Sequence, residues 1–230
     1  MTVIKVCGIT TVGDALRAAS AGVDMLGLNF YEGSRRYTSV DQAKRIALSL
    51  GETRGGSHLI LVGLFVNASS ADIRRIADEV GLDLIQLSGD ESPEDVDAWG
   101  GAAVKAIRPR TRDEALRIAQ AFVESAPECE RMPSLILDGY HAGLYGGSGE
   151  RVAVEAALAV RLIVPRLMLA GGLTPSNVAD VVSAVKPWGV DVASGVEGPN
   201  KGHKDEGLVR AFVQAVRQAD AAAHKERYTI

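Results

Sequence analysis

The sequence predicts an α/β protein of the (β/α)8 TIM-barrel class, built as a single domain. Eight short apolar runs alternate along its 230 residues with eight longer amphipathic stretches. Each run is nearly continuous in apolar residues, as expected of a parallel strand that is buried on both faces. Strict alternation of strand and helix predicts a parallel sheet, and eight units fit a barrel of roughly 250 residues. A doubly wound open sheet is the alternative.

The apolar runs are predicted to be strands because each is too short for a stable helix. The predicted strands are 3–7, 25–30, 59–65, 82–87, 103–107, 134–137, 167–170 and 190–193.

Serine, threonine and proline mark several predicted helix starts, since Ser and Thr cap the first turn and Pro fits within it. The sequence predicts one domain, 1–230, in which the folded core spans about 3–219 and residues 220–230 form a frayed tail. The predicted helices are 10–21, 40–50, one from Ser69 or Ser70, one after Ser92-Pro93, 113–124, 151–161, one from Thr174-Pro175, and 206–219.

Composition excludes several classes of function. A formal net charge of −4 without a basic tract argues against nucleic acid as a partner, whereas backbone N–H groups can still hold a small phosphorylated molecule. No apolar run reaches the roughly 18 residues of a membrane span, and the N-terminus does not resemble a signal peptide, so a cytoplasmic protein without membrane contact is expected. The two cysteines, Cys7 and Cys129, form neither a disulfide framework nor a metal cluster.

Polar side chains stand just past most of the predicted strands. In barrels of this class the active site lies at the carboxyl ends of the strands, so these side chains are expected to converge on one rim. They are Cys7, Asn29, Arg35, Arg36, Asn67, Gln86, Ser88, Asp90, Lys105, Arg108, Asp138 and Asp191.

Glycine-rich loops follow the last three strands. Glycine lets backbone N–H groups approach an anion closely, and barrels commonly hold phosphate with the loops after strands seven and eight. One glycine pair would be typical of a tight turn, but three such loops at successive strand ends predict a phosphate site. The candidate residues are Gly147, Ser148 and Gly149, then Gly171 and Gly172, then Ser194 and Gly195.

Cys7 and Asp138 are candidates for a base and an acid. Isomerisation of a sugar needs an acid for the ring oxygen and a base that takes a proton from carbon. A thiol serves as that base where its pKa falls below the ordinary value of about 8.5. The alternatives are a small buried apolar residue for Cys7 and a loop or capping residue for Asp138.

Several segments resemble the phosphoribosylanthranilate isomerase family. Cys-Gly-Ile-Thr near the start and Ser-Gly-Val-Glu near the end lie in register with the motifs between them, and the resemblance covers about residues 3 to 213. The matching segments are 4–10, 63–67, 82–91, 105–108, 135–138, 146–149, 169–177, 189–197 and 204–205.

The resemblance implies an activity and assigns roles. The family converts N-(5'-phosphoribosyl)anthranilate to 1-(2-carboxyphenylamino)-1-deoxyribulose 5-phosphate in tryptophan biosynthesis, without cofactor or metal. It implies that Cys7 is the general base, that Asp138 is the general acid, and that Arg36 binds the anthranilate carboxylate. Asp191 is expected at the anthranilate end. A monomer or homodimer is expected.

Two alternatives remain open. One is a divergent sugar-phosphate isomerase or epimerase, and the other is a non-catalytic phosphate-binding protein, which would need neither Cys7 nor Asp138. The chain has Arg35 where the family usually has proline and Ser88 where it usually has histidine. Its segments 151–154 and 198–203 also depart from the usual pattern.

Overall fold

A computed structural model describes residues 1–51, 59–139, 149–200 and 202–226. In it, eight parallel strands close into a barrel in which each strand pairs with its neighbours in chain order and the first pairs with the last. The fold class predicted from the sequence is therefore confirmed. The strands are β1 (Val3–Cys7), β2 (Met25–Asn29), β3 (Ile60–Phe65), β4 (Leu84–Leu87), β5 (Ala103–Ile107), β6 (Leu135–Asp138), β7 (Leu167–Ala170) and β8 (Gly189–Val192).

Helices follow the strands on the outside of the barrel. Five of them begin at a Ser or Thr whose side chain accepts a backbone N–H of the first turn, and Ser92 and Asp95 form a reciprocal capping box. The helices are α1 (Val12–Ser20), α2 (Val40–Ser49), α3 (Ser70–Val80), α4 (Pro93–Asp97), α5 (Arg112–Phe122), α6 (Gly149–Arg161), α7 (Val178–Val185) and α8 (Glu206–Glu226), with a 3-10 turn at Ser194–Val196.

Alternation along each strand separates two apolar cores. On β1, Ile4 and Val6 face the helices, whereas Lys5 and Cys7 point into the barrel. The floor of the barrel is apolar, and polar groups occupy the carboxyl half of the strands. The apolar interior residues are Met25, Ile60, Val62, Leu84, Val104, Ala106, Ile136, Met168 and Ala170.

Several helices differ from their predicted bounds by one or two residues, and two differ by more. α7 begins at Val178 rather than at Thr174-Pro175, because the Asn177 side chain accepts the N–H of Thr174 (2.8 Å) and donates to the carbonyl of Gly172 (3.1 Å), which holds these residues in a turn. α8 runs past residue 219 to Glu226. Its extension is anchored by Asp220, which accepts hydrogen bonds from the N–H (2.9 Å) and hydroxyl (2.7 Å) of Thr2. Across the described ranges, no helix has the length and apolarity needed to span a bilayer.

Candidate active site

The barrel brings the predicted acid, the predicted base and Asp191 to one rim. Register pairs Asp138 with Ala170, Ala170 with Asp191, and Asp191 with Lys5, so β6, β7, β8 and β1 contribute side chains at neighbouring heights. Asp138 lies two residues after the interior residue Ile136 and therefore also points inward. The rim position predicted for these groups is thus observed.

A buried ion pair links β1 and β8. Lys5 Nζ donates to Asp191 Oδ2 at 2.8 Å, and both side chains are almost fully buried. Burial alone would lower the pKa of Lys5, but the charges of Asp191 and Cys7 outweigh it and raise that pKa to about 12. Burial raises the pKa of Asp191, against the effect of Lys5. Among the described residues, Asp191 Oδ1 has no hydrogen-bond partner, so one buried acceptor faces the site unsatisfied.

Cys7 lies at the end of β1, only 7% exposed. Burial raises the pKa of its thiol above the ordinary value, as does Asp191, while Lys5 and Lys204 oppose that rise. The lowered pKa expected for a base is therefore not found, because desolvation of the thiolate outweighs the two cations. Gly27 makes room for the thiol, since a Cβ at that position would lie 2.7 Å from Cys7 Sγ.

Asp138 is more open to solvent than Cys7. Its side chain is 27% exposed, and its Oδ2 accepts a hydrogen bond from Arg108 Nε at 2.8 Å. Arg108, at the end of β5, is itself mostly exposed. The carboxylate is therefore held by a flexible cation at the mouth of the barrel, within reach of a ligand.

Arg36 is fixed in place rather than solvated. Its Nε and Nη2 donate to the two carboxylate oxygens of Glu197, the second at 3.2 Å. Its side chain also crosses Gly8, where any Cβ would overlap Arg36 Cδ and where φ is +74°. The aliphatic part of the Arg36 side chain therefore packs against Gly8, the residue that follows Cys7.

Glu197 and Lys204 hold Arg36 in place through a chain of hydrogen bonds. Lys204 Nζ donates to the carbonyl of Ala193 (3.0 Å) and to Glu197 Oε1 (3.3 Å), and both charged side chains are buried. Burial favours the neutral acid, but the hydrogen bond from Arg36 and the charge of Lys204 hold the pKa of Glu197 at about 2. Burial lowers the pKa of Lys204, although Glu197 and Cys7 oppose the shift.

The described part of the predicted phosphate site lies beyond β7 and β8. Gly171 and Gly172 adopt left-handed backbone conformations, with φ of +91° and +64°, which favour glycine. A side chain at Gly195, next to Ser194, would overlap the carbonyl oxygen of Leu173, so the two loops approach each other closely. Gly149 is the first residue of α6, whereas Gly147 and Ser148 lie outside the described residues.

The end of β4 adds a further polar group to the interior. Gln86 Nε2 donates to Ser88 Oγ at 3.1 Å, and Gln86 Oε1 is buried with no partner among the described residues. Lys105, by contrast, contacts Glu91 (2.7 Å) and the carbonyl of Gly89 (2.6 Å), so it secures the β4–α4 loop instead of facing the site.

Sequence reasoning assigned no role to Glu197, Lys204 or Gly27. The signal for Glu197 and Lys204 was their place in the segment that matches the family, but no spacing rule pairs them with Arg36. Gly27 interrupts an apolar strand, which indicates a close approach of another group. In the described ranges, no group of three or more His, Cys, Asp or Glu side chains is arranged to hold a metal ion.

Comparisons with known proteins agree with this geometry. Residues 4–215 match the family model for N-(5'-phosphoribosyl)anthranilate (PRA) isomerase. The chain is 42% identical over 216 residues to an N-(5'-phosphoribosyl)anthranilate isomerase from Pseudomonas fluorescens (strain Pf0-1), covering 93% of this chain and 97% of that protein.

Solved structures of this kind share the fold. Phosphoribosyl anthranilate isomerase from Thermotoga maritima superposes with a TM-score of 0.81 at 32% identity, over 95% of this chain and 100% of that one. A phosphoribosyl anthranilate isomerase solved with reduced 1-(o-carboxyphenylamino)-1-deoxyribulose 5-phosphate gives a TM-score of 0.79 at 30% identity, with the same coverage. The chain belongs to the N-(5'-phosphoribosyl)anthranilate isomerase family.

Proposed function

We propose that this chain converts N-(5'-phosphoribosyl)anthranilate to 1-(2-carboxyphenylamino)-1-deoxyribulose 5-phosphate in tryptophan biosynthesis. Membership of the family supports the reaction. The observation that carries the proposal is the placement of Cys7 and Asp138 on the inner face of one rim, with the Arg36 side chain against Gly8, the residue after Cys7. A binding protein needs neither an acid nor a base at its ligand.

Asp138 is the proposed general acid. It protonates the ribose ring oxygen while the bond from that oxygen to C1 breaks and the anthranilate nitrogen supplies the electron pair of a C=N bond. A carboxyl group at the open mouth of the barrel can reach this oxygen once the substrate displaces Arg108, which donates to Asp138 Oδ2.

Cys7 is the proposed general base. Its thiolate takes the proton from C2, and the electrons of that C–H bond move to form a C=C bond as the C=N bond becomes a neutral amine. The resulting enol then rearranges to the C2 ketone of the product. The cations Lys5 and Lys204 favour the thiolate, whereas burial and Asp191 oppose it, so only a minor fraction of the thiol is reactive near neutral pH.

Both ends of the substrate are anionic, and each has a proposed site. Arg36 binds the anthranilate carboxylate, since a guanidinium can take a carboxylate through two parallel hydrogen bonds. The unpartnered oxygen of Asp191 supports a weaker contact with the amino group of the anthranilate end. The proposed phosphate ligands are the backbone groups of Gly147, Ser148, Gly149, Gly171, Gly172, Ser194 and Gly195.

The proposal is tested by mixing the purified chain with freshly generated phosphoribosylanthranilate in EDTA and following the loss of substrate fluorescence. Fast loss, insensitive to EDTA and abolished by Asp138→Asn, is expected of a metal-free acid–base mechanism. No loss from a folded protein that still binds phosphosugars would contradict the proposed substrate and favour a divergent sugar-phosphate isomerase. The chain is expected to be a monomer or a homodimer, and light scattering of the purified protein would measure which of the two it forms.

A further inference from the structure

Three charged side chains form a largely buried cluster that packs against Gly8, the residue after Cys7. Arg36 and Lys204 both donate to Glu197, whose side chain is fully shielded from solvent. The two cations share one carboxylate oxygen, Oε1. Two cations against one anion leave this cluster with one net positive charge, in a chain whose overall formal charge is −4.

The geometry of Arg36 explains why the charge of Lys204 matters. Glu197 occupies the Nε and Nη2 edge of the guanidinium, which leaves the N–H groups at its far end for a ligand. An arginine paired with one carboxylate is electrically neutral as a pair, and such a pair has little long-range attraction for a second carboxylate. Glu197 therefore orients the guanidinium of Arg36 but also cancels its charge.

We propose that Lys204 is a positioning residue that determines substrate specificity; this inference rests on the function proposed above. The buried cation of Lys204 restores positive charge to the Arg36–Glu197 pair, and that charge selects an aromatic carboxylate. Lys204 acts through Glu197 and does not need to touch the substrate. Its hydrogen bond to the carbonyl of Ala193, directly after β8, fixes the ammonium under the pair. The neighbouring ion pair of Lys5 with Asp191 is neutral and adds no net charge.

The test compares two probes of equal size. One is the reduced product analogue that carries the benzoate carboxylate, and the other is the same molecule with a neutral carboxamide. The ratio of their dissociation constants, measured by calorimetry, reports carboxylate selection separately from the phosphate and sugar contacts that both probes share. In Lys204→Met this ratio should fall about tenfold, as expected for one unit charge acting over roughly 10 Å at an effective dielectric constant near 20.

Compensating variants separate charge from structure. Lys204→Met combined with Glu197→Gln leaves Arg36 as the one cation of the cluster, and the ratio should return to within about threefold of the wild-type value because the net charge is restored. Lys44→Met, which removes a half-exposed lysine on α2, is the matched control and should leave the ratio unchanged. Should Lys204→Met alone not fold, the same tenfold loss is measured between Glu197→Gln and the double variant.

Equal weakening of both probes in Lys204→Met, an unchanged ratio, or a double variant that keeps the defect would each overturn the inference. Failure of the proposed function looks different. In that case the wild-type protein would neither turn over phosphoribosylanthranilate nor bind the carboxylate probe.

Discussion

The reactivity of Cys7 as a nucleophile should rise steeply with pH, because this thiol is buried and reacts only as its thiolate. The surroundings of Cys7 raise its pKa above the ordinary value of about 8.5, so the thiolate is a minor species at neutral pH. Below its pKa the thiolate fraction grows tenfold for each pH unit. From pH 7 to pH 8.5, the rate at which iodoacetamide alkylates Cys7 should therefore rise roughly thirtyfold, with a slope near one on a logarithmic plot.

The assay follows alkylation in Cys129→Ser, which leaves Cys7 as the one cysteine of the chain. Turnover is not used for this purpose, since it also requires the proposed acid Asp138 in its protonated form and the two pH dependences oppose each other. Cys7→Ser should lower kcat by orders of magnitude while leaving the affinity for the product analogue nearly unchanged. Alkylation of Cys7 that is as fast at pH 7 as at pH 8.5 would refute the raised pKa, and full turnover by Cys7→Ser would refute the thiolate as the base.

Three further predictions concern residues around the base. Gly27→Ala places a methyl group 2.7 Å from Cys7 Sγ and should lower kcat by about 10- to 100-fold, whereas Gly51→Ala, which meets open space, should not. Arg36→Met should raise KM by about 10- to 100-fold, a range typical of losing a charged hydrogen bond, and an unchanged KM would place the carboxylate elsewhere. The pKa of Glu197 is about 2, below its value of 4.5 in an unfolded chain, so its stabilisation is present above pH 4.5 and is lost on acidification through the folded value. Urea unfolding should thus show wild-type stability falling by about 2 kcal/mol more than that of Glu197→Gln between pH 6 and pH 3, and equal losses would contradict the pairing.

The fold was predictable because its signal is local. Each strand is buried on both faces, so each appears in the sequence as a short apolar run between turn residues. The helix ends were less predictable because side chains distant in sequence decide them. Asp220 extends α8 by binding Thr2, 218 residues away, and no local pattern in the last helix indicates that contact.

The candidate site was likewise predictable only in part. The rim position of Cys7, Asp138 and Asp191 follows from their place at strand ends, which the sequence displays. Their partners follow from the register of the closed sheet. Lys5 meets Asp191 across 186 residues, and Arg36 meets Glu197 across 161 residues. Such pairs depend on how β8 closes against β1, and no spacing within one segment contains that information.

Local charge, and not the charge of the whole chain, decides which substrate this rim suits. The proposed substrate carries a carboxylate and a phosphate, while the chain has a formal charge of −4. The pairing of Lys5 with Asp191 leaves that position neutral, and the surplus cation lies in the Arg36 cluster. The backbone N–H groups of the glycine loops are the proposed phosphate ligands, and such donors hold an anion without a lysine or arginine. In this proposal the two anionic ends of the substrate are distinguished by chemistry as well as by position, and this difference would orient the ribose between Cys7 and Asp138.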